Sequence, residues 1–128
     1  QVGVITDSYS IASEIVRRRV FADFSIGNRM KFQGGFATGS LTFAPAMFHP
    51  CGCPEHLYCK RNTMVHLMER LGIGPERVLA IGDSETDVCL LKAAGRSVAI
   101  RPTTQQVRAA AKCVLWGDLS DVVDMLRD

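Results

Sequence analysis

From residue 62 onward, short apolar runs alternate with stretches of helical periodicity, and only a few residues connect one to the next. Residues 62–71 read as an amphipathic helix, with Met64, Leu67, Met68 and Leu71 on one face and Gly72 as the stop. A strand over 78–81 and a helix over 85–94, closed by Gly95, follow. Then come a strand over 97–100, a helix over 104–111, a strand over 113–116 and a helix over 119–126. Strands separated by single helices and short links pair in parallel, with the helices packed on the sheet's faces. The expected fold class is α/β, a Rossmann-like three-layer arrangement around a parallel sheet.

The first half is less regular. Val2, Val4 and Ile5 form a short apolar run that stops at Thr6-Asp7-Ser8, as a buried strand ends at a loop. Ser8 or Ser10 is placed to cap a following helix, in which Ile11, Ile15, Val16 and Val20 fall near helical spacing. Residues 24–32 and 36–43 read as two extended segments joined at Gln33-Gly34-Gly35, a β-hairpin signal. Residues 44–59, with three Pro, three Cys and two His, are expected to be an irregular loop. A length of 128 residues accommodates one domain, 1–128.

Composition excludes some classes. Fifteen Lys and Arg against 13 Asp and Glu leave a net charge of +2, too weak a field to argue for nucleic acid or a membrane surface. No apolar run approaches the roughly 18 residues of a bilayer span, and the opening residues do not read as a secretory signal. Five cysteines cannot all pair within one chain, so a reduced, cytoplasmic protein is expected.

Three places carry chemistry. In Gly82-Asp83-Ser84-Glu85-Thr86-Asp87 a strand ends and two carboxylates follow, four residues apart, at the sheet edge where parallel α/β folds bind ligands. Asp83 offers a hard oxygen to Mg²⁺, and Asp87 is placed to hold a cation or a lysine. The plainer alternative is that Asp83 caps the helix and Asp87 favours its dipole. Lys60, ahead of the first regular helix, reaches toward the same edge and could neutralise a phosphate, or simply be solvated. Thr6, at the end of the opening strand, has a hydroxyl and neighbouring N–H groups suited to a phosphoryl oxygen, though threonine is common at strand ends.

In this order, strand–Thr6, Lys60 and strand–Gly82-Asp83-x-x-x-Asp87 resemble the second, third and fourth motifs of the haloacid dehalogenase superfamily, in its phosphoserine phosphatase-like subtype. That subtype's fourth motif, Gly-Asp-x-x-Asn-Asp, is followed by an apolar helix and Ala-Ala-Gly, as Leu90-Leu91-Lys92-Ala93-Ala94-Gly95 is here. Phe21 to Gly39 also resembles the subtype's hairpin with its closing Thr-Gly. Thr86 stands where Asn is usual, and Asp7-Ser8 where Gly-Gly is usual, so the substrate is not indicated.

The resemblance implies a Mg²⁺-dependent hydrolysis of a small phosphorylated metabolite through an aspartyl-phosphate. Lys60 and Thr6 would hold phosphoryl oxygens. Asp83 would bind Mg²⁺, and Asp87 would orient Lys60 or complete the metal's shell. The family's first motif, Asp-x-Asp after an apolar strand, is absent from this sequence. In the family fold that strand is central, between the strands ending at Thr6 and Ile81. Its absence would leave two unpaired edges facing a gap. The expectation is therefore the C-terminal portion of a longer phosphatase, its first motif supplied by an N-terminal segment or a complementary chain. One alternative makes Asp7 the nucleophile, because Asp7-Ser8-Tyr9-Ser10 faintly resembles the dehalogenase first motif; the hairpin match instead fixes Thr6 as the second motif. Another is a non-catalytic phosphate-binding or regulatory module.

His49 to Cys59 concentrates three thiols and two imidazoles in eleven residues. Cys51, Cys53, His56 and Cys59 are candidate ligands for a structural Zn²⁺, with Cys53, His56 and Cys59 spaced by three. A metal-free loop, an opportunistic disulfide, and a zinc or redox module built on this loop are the alternatives. Cys89 and Cys113 fall on apolar patterns and are expected in the core.

Overall fold

The computed structural model describes residues 1–127. Strand β1 (Gly3–Tyr9) leads into helix α1 (Ser10–Arg19), and the hairpin β2 (Phe24–Gln33) and β3 (Phe36–Thr42) follows. After an irregular segment come α2 (Lys60–Leu71), β4 (Leu79–Gly82), α3 (Val88–Ala93) and β5 (Arg96–Ile100). Helix α4 (Gln105–Ala110), β6 (Cys113–Leu115) and α5 (Ser120–Arg127) complete the chain.

The strands form two three-stranded sheets. In one, β1 runs parallel to β2 and β2 antiparallel to β3; in the other, β4, β5 and β6 are all parallel. The α/β class with parallel pairing and a hairpin excursion is the one expected. Gly34 and Gly35 take φ of 58° and 82°, the positive-φ pair that a two-residue hairpin turn requires. Gly72, with φ of 63°, ends α2 by accepting the left-handed backbone that a side chain would strain.

The core lies in the second half. Met64 from α2, Ala80 from β4 and Leu90 and Leu91 from α3 pack with Ala99 from β5 and Val107 from α4. Leu91, Ala99 and Val107 are fully buried. Of the α2 face that periodicity predicts, Met64 is buried and Leu67 and Met68 are half-buried, while Leu71, at the helix end, is 42% exposed.

Several local expectations need correction. β1 continues through Thr6 to Tyr9, because pairing with β2 resumes at Tyr9–Asn28 after an irregularity that follows Ile5. Neither Ser8 nor Ser10 caps α1: the N-cap is Tyr9, without a side-chain bond, and Ser10 is already helical. Helix 85–94 divides into a 3₁₀ turn at Glu85–Asp87 and α3.

The larger correction concerns α1. Ile11, Ile15, Val16 and Val20 are all about half exposed or more. The helix turns its other stripe, Ser10, Ser13, Glu14 and Arg17, toward the sheet. A side chain at Gly27 of β2 would come within 3.1 Å of the Ser10 backbone and of Ser13 Oγ, so helix and strand meet through small residues. Glu14 accepts from Ser25 Oγ, and Arg17 donates to the Ala22 carbonyl. Close approach and polar pairing at this contact outweigh the apolar stripe.

Candidate active site

Gly82 ends β4, and the chain turns sharply over Asp83 and Ser84 before α3. A Cβ at Gly82 would lie 2.5 Å from Asp87 Cβ, so glycine is what lets Asp87 fold back against the strand end. Ser84 and Asp87 form a reciprocal capping box around the 3₁₀ turn. Asp87 Oδ2 accepts from the N–H groups of Asp83 and Ser84 at 3.0 and 3.1 Å and from Ser84 Oγ at 3.3 Å. Its other oxygen, Oδ1, receives Lys60 Nζ at 2.7 Å. The side chains of this ion pair are 11% and 7% exposed, so the pair is largely shielded from solvent.

Lys60 is the first residue of α2 rather than a residue ahead of it. Its position, followed by burial of Asn62, Thr63 and Met64, anchors the stem while the ammonium reaches the end of β4. Burial alone would raise the Asp87 pKa. The Lys60 hydrogen bond and charge, with the two N–H donors, outweigh it and hold the carboxyl below its usual range. Lys60 Nζ also lies 3.9 Å from Asp7 Oδ2 on β1. One ammonium thus joins the ends of strands from both sheets.

Asp83 presents an exposed carboxylate while its main chain is fixed. Its carbonyl accepts from Thr103 N–H at 2.9 Å and Thr103 Oγ1 at 3.0 Å. Thr6 is half-buried on β1, and its hydroxyl oxygen accepts the Ser8 N–H at 3.0 Å. That N–H, expected to help cradle a phosphoryl oxygen, is therefore engaged locally; the Thr6 hydroxyl proton remains to be donated.

The donor set of Asp83 suits a hard cation, because a free carboxylate beside waters and phosphate is the coordination Mg²⁺ prefers. Asp87 does not share that freedom. Both of its oxygens are committed, so a direct role as Mg²⁺ ligand would require breaking the Lys60 contact. Its geometry is that of a residue orienting the lysine. The alternative of Asp83 as helix cap fails, since Ser84 holds that position.

Two buried asparagines escaped sequence reasoning. Asn28 donates to the Asp7 carbonyl at 2.8 Å and accepts from Ala44 N–H and the Tyr58 hydroxyl, each at 3.0 Å. Asn62 donates to the carbonyls of Met47 and Leu57 and accepts the Cys53 N–H at 2.6 Å. Together they tie the loop after β3 to β1 and α2. Residue type alone gave no signal, because a buried asparagine is recognised only through its partners.

The cysteine loop also departs from expectation. Cys51 is exposed, and its N–H bonds to His49 Nδ1. Cys89, expected in the core, instead joins Cys53, His56 and Cys59 in one cluster. It stands at the second position of α3, between the core residues Val88 and Leu90, on the side of the helix that meets the loop. Burial and then Cys53 push the Cys89 thiol up to about 12, and burial raises that of Cys59. Burial acts on Cys53 in the same sense, but hydrogen bonds from the Glu55 backbone and from His56 outweigh it and bring the thiol down to about 7. A second grouping, His49, His66 and Glu69, is satisfied without a metal. His49 accepts from Cys51 N–H through Nδ1 and lies 3.0 Å from Glu69 through Nε2, while His66 Nε2 bonds the Phe48 carbonyl.

The strand ends of this α/β protein thus carry a lysine–carboxylate pair beside a free carboxylate. Residues 58–122 match the haloacid dehalogenase-like hydrolase family, and the chain belongs to it. It is 44% identical over 68 residues to a phosphoglycolate phosphatase of Methanopyrus kandleri, covering 50% of this chain and 29% of that protein. To a phosphoserine phosphatase of Methanocaldococcus jannaschii it is 22% identical over 130 residues, covering 98% and 56%. The structure of a phosphoserine phosphatase in apo form superposes with a TM-score of 0.78 at 19% identity, over 95% of this chain and 56% of that one. The chain thus spans 56% of each of these two phosphoserine phosphatases and 29% of the phosphoglycolate phosphatase, and the shared architecture is the phosphoserine phosphatase-like one expected. Among the described residues, no helix is long and apolar enough to cross a membrane.

Proposed function

We propose that this chain is the phosphate-binding portion of a Mg²⁺-dependent phosphomonoesterase that acts on a small phosphorylated metabolite through an aspartyl-phosphate. The observation that carries this reading is the shielded Lys60–Asp87 pair at 2.7 Å, beside the exposed carboxylate of Asp83 at the end of β4. Held by Asp87, Lys60 presents fixed positive charge to a phosphoryl group without reorganising, which is most of what such a reaction asks of a protein. The Thr6 hydroxyl donates to a second phosphoryl oxygen. Asp83 would hold Mg²⁺, which when bound offsets phosphate charge.

The nucleophilic aspartate belongs on a strand seated between β1 and β4. Among the described residues β1 pairs only with β2, and β4 only with β5, so each has a free edge. Ile81 on β4 is 36% exposed, although strands of parallel sheets are ordinarily covered on both faces. We assign that seat to an Asp-x-Asp strand from an N-terminal segment or a complementary chain. The five free thiols fit a reducing, cytoplasmic setting.

The test pairs intact-mass analysis of the native protein with assays on phosphoserine, phosphoglycolate and related monoesters. A chain or partner carrying an Asp-x-Asp strand is expected, with Mg²⁺-dependent turnover that Asp83→Asn lowers by about 100-fold or more. Unchanged turnover in that variant would overturn the assignment of Asp83. A lone chain of 14.0 kDa that binds phosphate without hydrolysing esters would replace catalysis with phosphate binding alone.

A further inference from the structure

Residues 43–59 form a long connection whose regular structure is a single 3₁₀ turn at Pro45–Met47. A segment of this kind is costly to order without cross-links. Within it, Cys53, His56 and Cys59 recur at every third residue, and Cys89 lies thirty residues further on. In the folded chain one ligand atom from each of the four lies within 4.8 Å of all the others. His56 Nδ1 is 3.6 Å from Cys53 Sγ and 3.4 Å from Cys89 Sγ.

Those separations are close to the edges of a metal tetrahedron. Zinc–sulfur bonds near 2.3 Å and a zinc–nitrogen bond near 2.0–2.1 Å imply S···N edges of about 3.6 Å and S···S edges of about 3.8 Å. Glu55 Oε2, 4.0 Å from Cys89 Sγ, is the nearby carboxylate and stands outside the set.

We propose that Cys53, His56, Cys59 and Cys89 bind a structural Zn²⁺ that clamps the start of α2 to the start of α3. Four protein ligands close the coordination sphere, which distinguishes a structural site from a catalytic one with an open position. Three Zn–S bonds and one Zn–N bond form, the three thiol protons pass to solvent, and no atom changes oxidation state. The placement matters because Cys59 immediately precedes Lys60, and Cys89 stands two residues after Asp87. Zinc bonded to both sulfurs closes a ring through the Lys60–Asp87 ion pair and restricts the relative movement of the helices that carry it. Zinc is thus a positioning device for that pair, whatever reaction the pair serves.

Zinc content and cobalt substitution of the reduced native protein test this without reference to turnover, so their outcome is separate from that of the phosphatase reading. One zinc per chain is expected. Its replacement by Co²⁺ should give the absorption of a tetrahedral site with thiolate charge-transfer intensity for three sulfurs. Cys89→Ser should weaken zinc binding by more than about 100-fold, beyond the 10–100-fold typical of an outer-shell change. Cys51→Ser should leave it unaltered. The cobalt spectrum of the unsubstituted protein decides the matter even if Cys89→Ser fails to fold. Absence of zinc uptake by the folded, reduced chain would overturn the proposal, as would an octahedral cobalt spectrum. Equal losses in Cys51→Ser and Cys89→Ser, or a disulfide within the set that persists in the native protein, would do so too.

Discussion

The two halves of this molecule use the same kind of amphipathic helix in opposite ways. In the second half, α2, α3 and α4 turn apolar residues inward and build one core around Leu91, Ala99 and Val107. In the first half, α1 turns serines, Glu14 and Arg17 inward, and leaves Ile11, Ile15, Val16 and Val20 exposed. The hairpin behaves likewise, with every residue of β3 exposed and Phe36 79% so. Periodicity therefore identifies a helix but does not decide which stripe packs; the size and polarity of the opposing surface decide it. The second half is held by buried apolar area and the first by specific polar contacts, and the two respond differently to substitution.

The largest effect should appear at the Lys60–Asp87 ion pair of the second half, whose ammonium also lies 3.9 Å from Asp7 of the first. Lys60→Met leaves Asp87 shielded without its cation, a change that costs about 3–5 kcal/mol. Denaturant unfolding of the variant measures it, and a loss below about 1 kcal/mol would show that solvent reaches the pair freely. The pH profile supplies a second reading. Asp87 titrates below its unfolded value, so its stabilisation is complete above the ordinary carboxylate range and fades as pH falls through the depressed folded value. In Lys60→Met that acid-dependent loss should shrink. Glu14, brought down to about 2 by Arg17 against the effect of burial, and further by Arg18 and Ser25, makes the same kind of contribution on α1. Salt should weaken that half-buried cluster more than the shielded Asp87 pair.

Next in size is a direct comparison of the two helices. Leu91→Ala, at a fully buried position, should cost about 2–5 kcal/mol, whereas Ile15→Ala, 55% exposed, should change stability by no more than about 0.5 kcal/mol. Equal effects in thermal or denaturant unfolding would mean that the exposed stripe of α1 is covered in solution, and the contrast between the halves would collapse. Between these two values lies Asn28→Ala. It strands the Asp7 carbonyl, the Ala44 N–H and the Tyr58 hydroxyl, with a cost of about 1–3 kcal/mol. Hydrogen exchange should show faster opening at Ala44 than at Leu91. Uniform protection would sink the idea that a polar knot holds the first half.

Local chemistry explains why so much of the second half was legible. Its strands and helices are short, their stop signals are glycines, and Gly82-Asp83-x-x-x-Asp87 places both carboxylates within one turn of a strand end. The Gly34-Gly35 turn is legible for the same reason, since few residue pairs accept two positive φ angles. Lys60 was recognisable as a candidate through its order relative to Thr6 and Asp83. That Asp87 would orient it came only through the resemblance, and the 2.7 Å contact across 27 residues is set by how α2 packs against α3 and the turn after β4.

The exchange of Cys51 for Cys89 has the same origin. Spacing along the chain groups Cys51 with its neighbours, but the loop turns it outward while the start of α3 brings Cys89 in. Asn28 and Asn62 gain their importance from partners supplied by several separate segments. What the sequence by itself determined was therefore the alternation of elements, the turns, and the residue types at the strand ends, because each depends on a few adjacent side chains. Which stripe of α1 is buried, which thiols converge, and which cation takes Oδ1 of Asp87 were decided by tertiary structure. Those outcomes depend on contacts between residues far apart in the chain, and neither periodicity nor spacing encodes them.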